Sequence, residues 1–309
     1  MEARQRGVAL ITALLLVFLA TMTAVEAVYN FQLTLNRSSV VLGQRQAWYY
    51  ALGGEAWAME TLRRDREDNE VDHLEEAWAT PIPGLPIQGG SLSGKIEDLQ
   101  GRFNLNNLVD QDGNAVQARL DQFSRLLDAL QVEVDIGPAV VDWIDRDLDP
   151  QLGGAESADY LLRTPSHVAA NLQMADASEL RQIQGVTREI YETLLPHVSA
   201  LPTGTTLNVN TATQAVLMSL AEDLSSADAA ALREGVGEKG YESVDEFLAH
   251  ESFAGLDPPI LAEGLGVGSN FFALLAEVNT EYGRISLESV VERAADQPLR
   301  VITRSVGGL

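Results

Sequence analysis

Cysteine is absent from this 309-residue chain, which excludes disulfide staples, thiol nucleophiles and thiolate metal sites. It leaves the compartment open, because a domain of this size folds without crosslinks. Histidine is scarce: His73, His167, His197 and His250 lie far apart, without metal-ligand spacing, and read as surface or capping residues. Basic residues are few, with Lys+Arg 21 against Asp+Glu 45 and a formal charge of -24. Such a surface repels phosphate backbones and disfavours nucleic acid as a partner. Helix breakers are missing from the start of the chain: no proline precedes Pro81, and no glycine lies between Gly7 and Gly43.

That absence permits one long helix, from about Val8 to Arg64, with Gly53-Gly54 as a place to bend. Its first part, Val8 to Val25, is apolar on every face and is preceded by Arg4 and Arg6. Eighteen helical residues span about 27 Å, close to a bilayer core of about 30 Å. The basic prefix predicts a cytoplasmic N-terminus, with the rest of the chain exported. A secretory signal would place its small residue after the apolar run. Here Gly7 precedes it, so cleavage would remove the charged prefix and keep the helix, an arrangement that resembles a type IV prepilin leader. Beyond Glu26, Trp48, Leu52, Ala56, Met59 and Leu62 recur at helical spacing and predict the stripe that lies on a sheet. Two readings of the helix stand: a plain single-span anchor, or a rod that packs against sister subunits. Thr12 is the fifth residue after the expected cut, where proteins with such leaders usually carry glutamate. A hydroxyl cannot supply the charge that pairs with a neighbour's terminal amine. This departure favours a unit with no subunit above it.

Charged residues from Arg63 to Glu76 read as the solvated end of the helix and a surface connection. Pro81, Pro83, Gly84, Pro86, Gly89 and Gly90 predict a loop. Strand patterns follow at Ser91–Leu99 and, much later, at Phe271–Val278, Arg284–Val290 and Leu299–Val306. Between them, from about Val116 to Leu265, short helical faces alternate with glycine and proline. One carries Leu120, Phe123, Leu127 and Leu130, and another Ile136, Val140, Val141 and Ile144. A sheet with one early strand and the rest beyond residue 270 must contain a helical insertion.

The densest polar constellation is Asp142-Trp143-Ile144-Asp145-Arg146-Asp147-Leu148-Asp149-Pro150, followed by Glu156 and Asp159. Asp142 and Asp145 share a helix face, as do Asp145 and Asp149 if the helix persists; Pro150 and Gly153-Gly154 then form a loop. Hard oxygens on a flexible loop suit calcium better than magnesium, although the spacing is not that of an EF-hand. The competing readings are a solvated acidic loop and, less favoured, a catalytic carboxylate pair. Asp110, Asp112 and Asn114 predict an Asx-rich turn. Ala177–Val186 and Leu207–Ala212 resemble helix-hairpin-helix elements, with Thr211 a helix cap. The acidic side chains around them favour structural reuse over DNA contact. Gly264-Leu265-Gly266-Val267-Gly268 lacks the setting of a dinucleotide loop and reads as the exit from the insertion.

Taken in order, Arg6-Gly7-Val8-Ala9-Leu10, Asp98-Leu99-Gln100-Gly101-Arg102-Phe103-Asn104-Leu105-Asn106, Asp142-Trp143-Ile144-Asp145 with Gly154-Ala155-Glu156, and Asn208-Val209-Asn210-Thr211-Ala212 closely resemble the minor pseudopilin K family of type II secretion systems (general secretion pathway protein K). The resemblance covers essentially the whole chain, and the threonine at position 12 agrees with it. It implies an α/β fold: a pilin-like long N-terminal helix packed on an antiparallel sheet, with a large, mostly helical domain inserted between strands. The expected segments are a cleaved leader (1–7), a transmembrane and stalk helix (8–64), the first part of the core (65–115), the insertion (116–266) and the last core strands (267–309).

It further implies cleavage after Gly7 and methylation of Val8 by a prepilin peptidase. The chain would cap the pseudopilus with the minor pseudopilins I and J above the major pseudopilin, and would meet the secretin or secreted substrates. Structural calcium in the insertion is also implied, matched here to Asp142, Asp145, Asp147, Asp149, Glu156 and Asp159. No enzymatic site is expected. A signal-anchored periplasmic binding module is the runner-up, and an anchored hydrolase comes third.

Overall fold

The computed structural model describes residues 2–255, 263–294 and 297–307, and for residues 2–7 the helical backbone alone. The chain begins with α1 (Glu2–Asp68), then β1 (Ile82–Ile87), β2 (Gly90–Asp98) and the short β3 (Phe103–Asn104). A helical stretch follows: α2 (Gln117–Ala129), α3 (Gly137–Ile144), α4 (Ser157–Tyr160) and α5 (Arg188–Leu194). After β4 (Val198–Ser199) and β5 (Leu207–Asn208) come α6 (Gln214–Met218), α7 (Ser226–Gly235), α8 (Val244–Leu248) and β6 (Leu265–Gly266). The chain closes with β7 (Phe271–Thr280), β8 (Gly283–Glu292) and β9 (Arg300–Gly307).

One antiparallel sheet, ordered β1-β2-β7-β8-β9, forms the platform on which α1 lies. β2 and β7 are neighbours in register from Gly90↔Thr280 to Asp98↔Phe272, so everything between them leaves and re-enters the sheet at one end. That excursion builds its own core from Phe103 to Leu265, while the helix–sheet interface is filled separately by residues such as Leu62, Trp78, Phe272 and Val291.

Two local expectations change. The proline-rich segment expected as a loop is β1, an edge strand with a register break between Ile82 and Leu85. Proline is tolerated there because an edge strand leaves one row of amides unpaired. The face of α1 on the sheet is Ala47, Ala51, Ala58 and Leu62, with Trp48, Leu52 and Met59 on its flanks and Ala56 exposed. Small side chains win the central stripe because they let the helix backbone approach the sheet. Glu55 lies in that stripe, accepting from Arg304 Nε and Nη2 (2.8 and 2.9 Å) and from the Ser289 hydroxyl (2.5 Å). The Arg304 guanidinium lowers its pKa against the opposing effect of burial.

The excursion contains a duplication. Asn104-Leu105-Asn106 overlaps β3, which pairs in parallel with β4; Asn208-Val209-Asn210 overlaps β5, which pairs in parallel with β6. In each, the first asparagine accepts an amide two residues on (3.1 and 3.0 Å). The second brackets a distant backbone: Asn106 with Met174 and Leu201, Asn210 with Tyr241 and Val267. Buried amides need such partners on both sides, which explains the twin motifs.

Candidate functional site

The acidic cluster forms where α3 ends. Asp142 is fully buried, and its two oxygens accept from the Gln151 amide at 3.2 and 3.1 Å. The helix stops at Ile144, and Asp145 turns into extended backbone while its amide still bonds Val141. Asp147 then accepts from the Asp149 amide (2.9 Å), an Asx turn that reverses the loop. Gly153, at φ +90°, carries the chain back to Glu156, the N-cap of α4. Asp145, Asp147 and Glu156 thereby bring one carboxylate oxygen each within 4.8 Å of one another.

Three buried oxygens here have no hydrogen-bond partner: Asp145 Oδ1 and Glu156 Oε1 of the trio, and Asn171 Oδ1 beside it. Asn171, at φ 48°, is tied to the loop by its amide to the Trp143 carbonyl (2.9 Å) and by Nδ2 to the Asp147 carbonyl (2.8 Å). Unpaired buried acceptors are costly, and two from the trio together with one on the adjoining Asn171 form a donor set suited to a hard cation. Burial pushes the Asp145 carboxyl up to about 7, with Asp147, Asp142 and Glu156 adding repulsion. Glu156 and Asp142 are raised as well, burial being the larger cause in each.

Of the six carboxylates singled out in the sequence, Asp145, Asp147 and Glu156 converge and Asp142 backs the loop. Asp149 does not share a helix face with Asp145, because the helix ends first; it is exposed and outside the trio. Asp159 is exposed and closes the capping box by accepting the Glu156 amide at 3.0 Å. Asn171 was not foreseen, since no spacing rule links it to the acidic run.

A second buried polar centre joins insertion to core. Asp98, at the end of β2, accepts from Gln100 N (2.8 Å), Asn208 Nδ2 (3.0 Å), and the Thr211 and Ser269 hydroxyls (both 2.6 Å). Burial raises its pKa against these bonds. Thr211 is therefore not a helix cap; Thr213 caps α6 by accepting the Val216 amide. Beside this centre, Arg293 is 1% exposed and pairs with Asp72 (2.5 Å) and Asp65 (2.7 Å), its guanidinium 4.6 Å from the Phe272 ring centroid. The segment expected as a solvated connection, Arg63–Glu76, instead carries the carboxylates of this bracket. Its counter-ion comes from the far end of the chain. Asp65, Asp72 and Glu76 also gather within 4.8 Å, but there the cation is Arg293.

Of the two helix-hairpin-helix-like segments, the first buries Leu180 and Ile183 and exposes Ser178 and Arg181, and the second folds inward. Ala177–Gln182 is a 3₁₀ turn ahead of α5, and Asn208 to Thr211 are buried at the joint. Asp110 accepts from the amides of Asp112 and Asn114 (both 2.9 Å), the expected Asx turn. His250 caps a short 3₁₀ helix, whereas His73 is buried rather than on the surface. The candidate membrane span within α1 begins at Val8, reaches a mean hydropathy of 2.5 over 18 residues and has none of that window buried. Val8 and Val25 are 62% and 64% exposed, an apolar surface suited to lipid or to neighbouring helices. Thr12 satisfies its hydroxyl locally, on the carbonyls of Val8 (3.1 Å) and Ala9 (3.0 Å), as an isolated helix in lipid requires.

Comparison with known proteins agrees with this architecture. Two family models, both described as type II secretion system (T2SS), protein K, match residues 101–203 and 207–268. The chain is similar to type II secretion system protein K of Pseudomonas aeruginosa, at 39% identity over 99% of this chain and 94% of that protein. The corresponding proteins of Aeromonas hydrophila (33%; 99% and 98%) and Klebsiella pneumoniae (31%; 95% and 94%) are similar over the same extent. Its fold matches a chain in the crystal structure of the GspK–GspI–GspJ complex from the enterotoxigenic Escherichia coli type 2 secretion system. The TM-score is 0.78 at 28% identity, covering 88% of this chain and 99% of that one. The rod, the sheet split between β2 and β7, and these matches along its length establish that the chain belongs to the type II secretion system protein K family.

Proposed function

We propose that this chain is the tip subunit of a pseudopilus, anchored in the inner membrane by Val8–Val25 and nucleating assembly with the minor pseudopilins I and J. The observation that carries this reading is the large domain spliced between adjacent strands β2 and β7. A pilin-like rod stacks by surrounding its α1 with other rods; a bulky head at the strand ends blocks the position above while leaving α1 free below. Thr12 supports the same placement, as a topmost subunit has no neighbour's ammonium to neutralise. The match to a chain of the GspK–GspI–GspJ complex supports I and J as the partners.

Prepilin peptidase would cut after Gly7 and methylate Val8, leaving the apolar rod on the mature protein. The work is then assembly rather than bond chemistry, driven by helix packing in the bilayer and by partner selection in the periplasm. Calcium would be held by Asp145, Asp147 and Glu156 with the Asn171 carbonyl, neutralising the loop charge and fixing the loop's course. The deciding experiment is co-expression with I and J. A ternary complex with one copy of this chain is expected, and a chain that purifies alone, or in repeated copies along a filament, would refute the reading.

A further inference from the structure

The exposed apolar side chains of the globular part are unevenly distributed. Among the described residues beyond α1, thirteen large apolar side chains stand exposed, and six of them fall within residues 148–172. They are Leu148 (68%), Leu152 (100%), Leu161, Leu162 (88%), Val168 and Leu172. All six project from one knot of loops on the insertion, around the acidic cluster.

The knot is cross-tied. The Asn171 amide and side chain bond Trp143 and Asp147, the Ala169 amide bonds Ser157 Oγ (3.1 Å), and Ser166 Oγ bonds the Leu161 carbonyl (3.0 Å). Tyr160 is buried beneath it, its ring centroid 5.3 Å from that of Trp143 and 5.0 Å from that of His167. Leucines held out from such a base are costly to leave in water and cheap to bind, because little ordering remains to be done on docking.

From this we infer that the loop knot of residues 148–172 is a docking surface for a protein segment bearing apolar side chains between basic residues. The charge selects this partner. Between Asp142 and Leu172 there are six carboxylates and two arginines, in a chain of net charge -24. Anionic lipid headgroups and nucleic acid would be repelled, whereas lysine or arginine flanking an apolar segment would meet the exposed carboxylates Asp149 and Asp159, which lie outside the carboxylate trio. The inference goes beyond assembly with I and J and does not depend on it.

The test uses the full chain in nanodiscs of neutral lipid and a fluorescein-labelled peptide with a leucine centre and lysine flanks. Saturable binding is expected, weakened by salt and at least about tenfold weaker for Leu152→Ser/Leu162→Ser, whose parent side chains are exposed. A lysine–serine peptide of equal charge should bind weakly to both chains. The inference is overturned if the double variant binds the leucine peptide as well as the parent, or if the lysine–serine peptide binds equally tightly. It is also overturned if anionic vesicles, rather than the peptide, discriminate parent from variant, or if the I–J complex occludes the knot. Undiminished assembly of the variant with I and J would keep a negative result separate from the tip assignment.

Discussion

Replacing Asp145 by asparagine should have opposite effects with and without calcium. At pH 8 without calcium, the buried Asp145 carboxylate is ionised beside Asp142, Asp147 and Glu156. Its rise from an ordinary 3.8 to about 7, at about 1.4 kcal/mol per pH unit, corresponds to about 4 kcal/mol. Screening by water on the open Asp147 side leaves about 1–2 kcal/mol of that penalty. Asp145→Asn removes it, so in EDTA the variant should melt about 2–6 °C above the parent. The advantage should fade as pH falls. A carboxyl whose folded pKa is raised destabilises the fold only as pH climbs from 3.8 through about 7. Calcium reverses the order. With a Kd of about 10⁻⁴ M and calcium at about a hundred times that value, binding stabilises the parent by about 2.7 kcal/mol, or about 5–10 °C. The variant has lost a charged ligand and should gain little. Differential scanning fluorimetry of the detergent-solubilised chain at pH 5 and pH 8, in EDTA and in calcium, gives all four values. A variant that melts below the parent in EDTA, or gains as much from calcium, would refute the reasoning.

Three further outcomes follow from the joint and the loop. Arg293→Met strands Asp72 and Asp65 without their cation and should cost about 3–5 kcal/mol in urea denaturation, with partial recovery when Asp72→Asn is added. Asp98→Asn replaces a carboxylate oxygen that receives Thr211, Ser269 and Asn208 with a group able to accept fewer of them, and should cost about 2–4 kcal/mol by the same assay. In Gly154→Ala the added methyl would overlap the Asp142 carboxylate, so the calcium-dependent rise in melting temperature should shrink while circular dichroism stays unchanged.

The parts legible in the sequence are those whose signal is long or local. The breaker-free rod, the four longer strands β2, β7, β8 and β9 and the Asx turn at Asp110 needed only hydropathy, period and turn chemistry. β1 was hidden because proline reads as a breaker unless the strand is known to lie at an edge. The alanine stripe of α1 was displaced from the expected Trp48–Leu52–Ala56 stripe because bulk marks hydrophobicity, whereas close approach to a sheet selects smallness. The Arg293 bracket was invisible for a topological reason: Asp72 and Arg293 are separated by 221 residues. At the acidic loop, the residue types were legible but their division of labour was not. The end of α3 at Ile144 separates Asp149 from Asp145, and Asn171 joins from a later turn.

The most direct test of the account is where the chain sits in an assembled pseudopilus. Gold labelling of an epitope in the insertion, viewed by electron microscopy on pseudopili grown with I, J and the major subunit, should mark one end of each filament once. Label repeated along the shaft would contradict the claim that the inserted domain makes this subunit terminal.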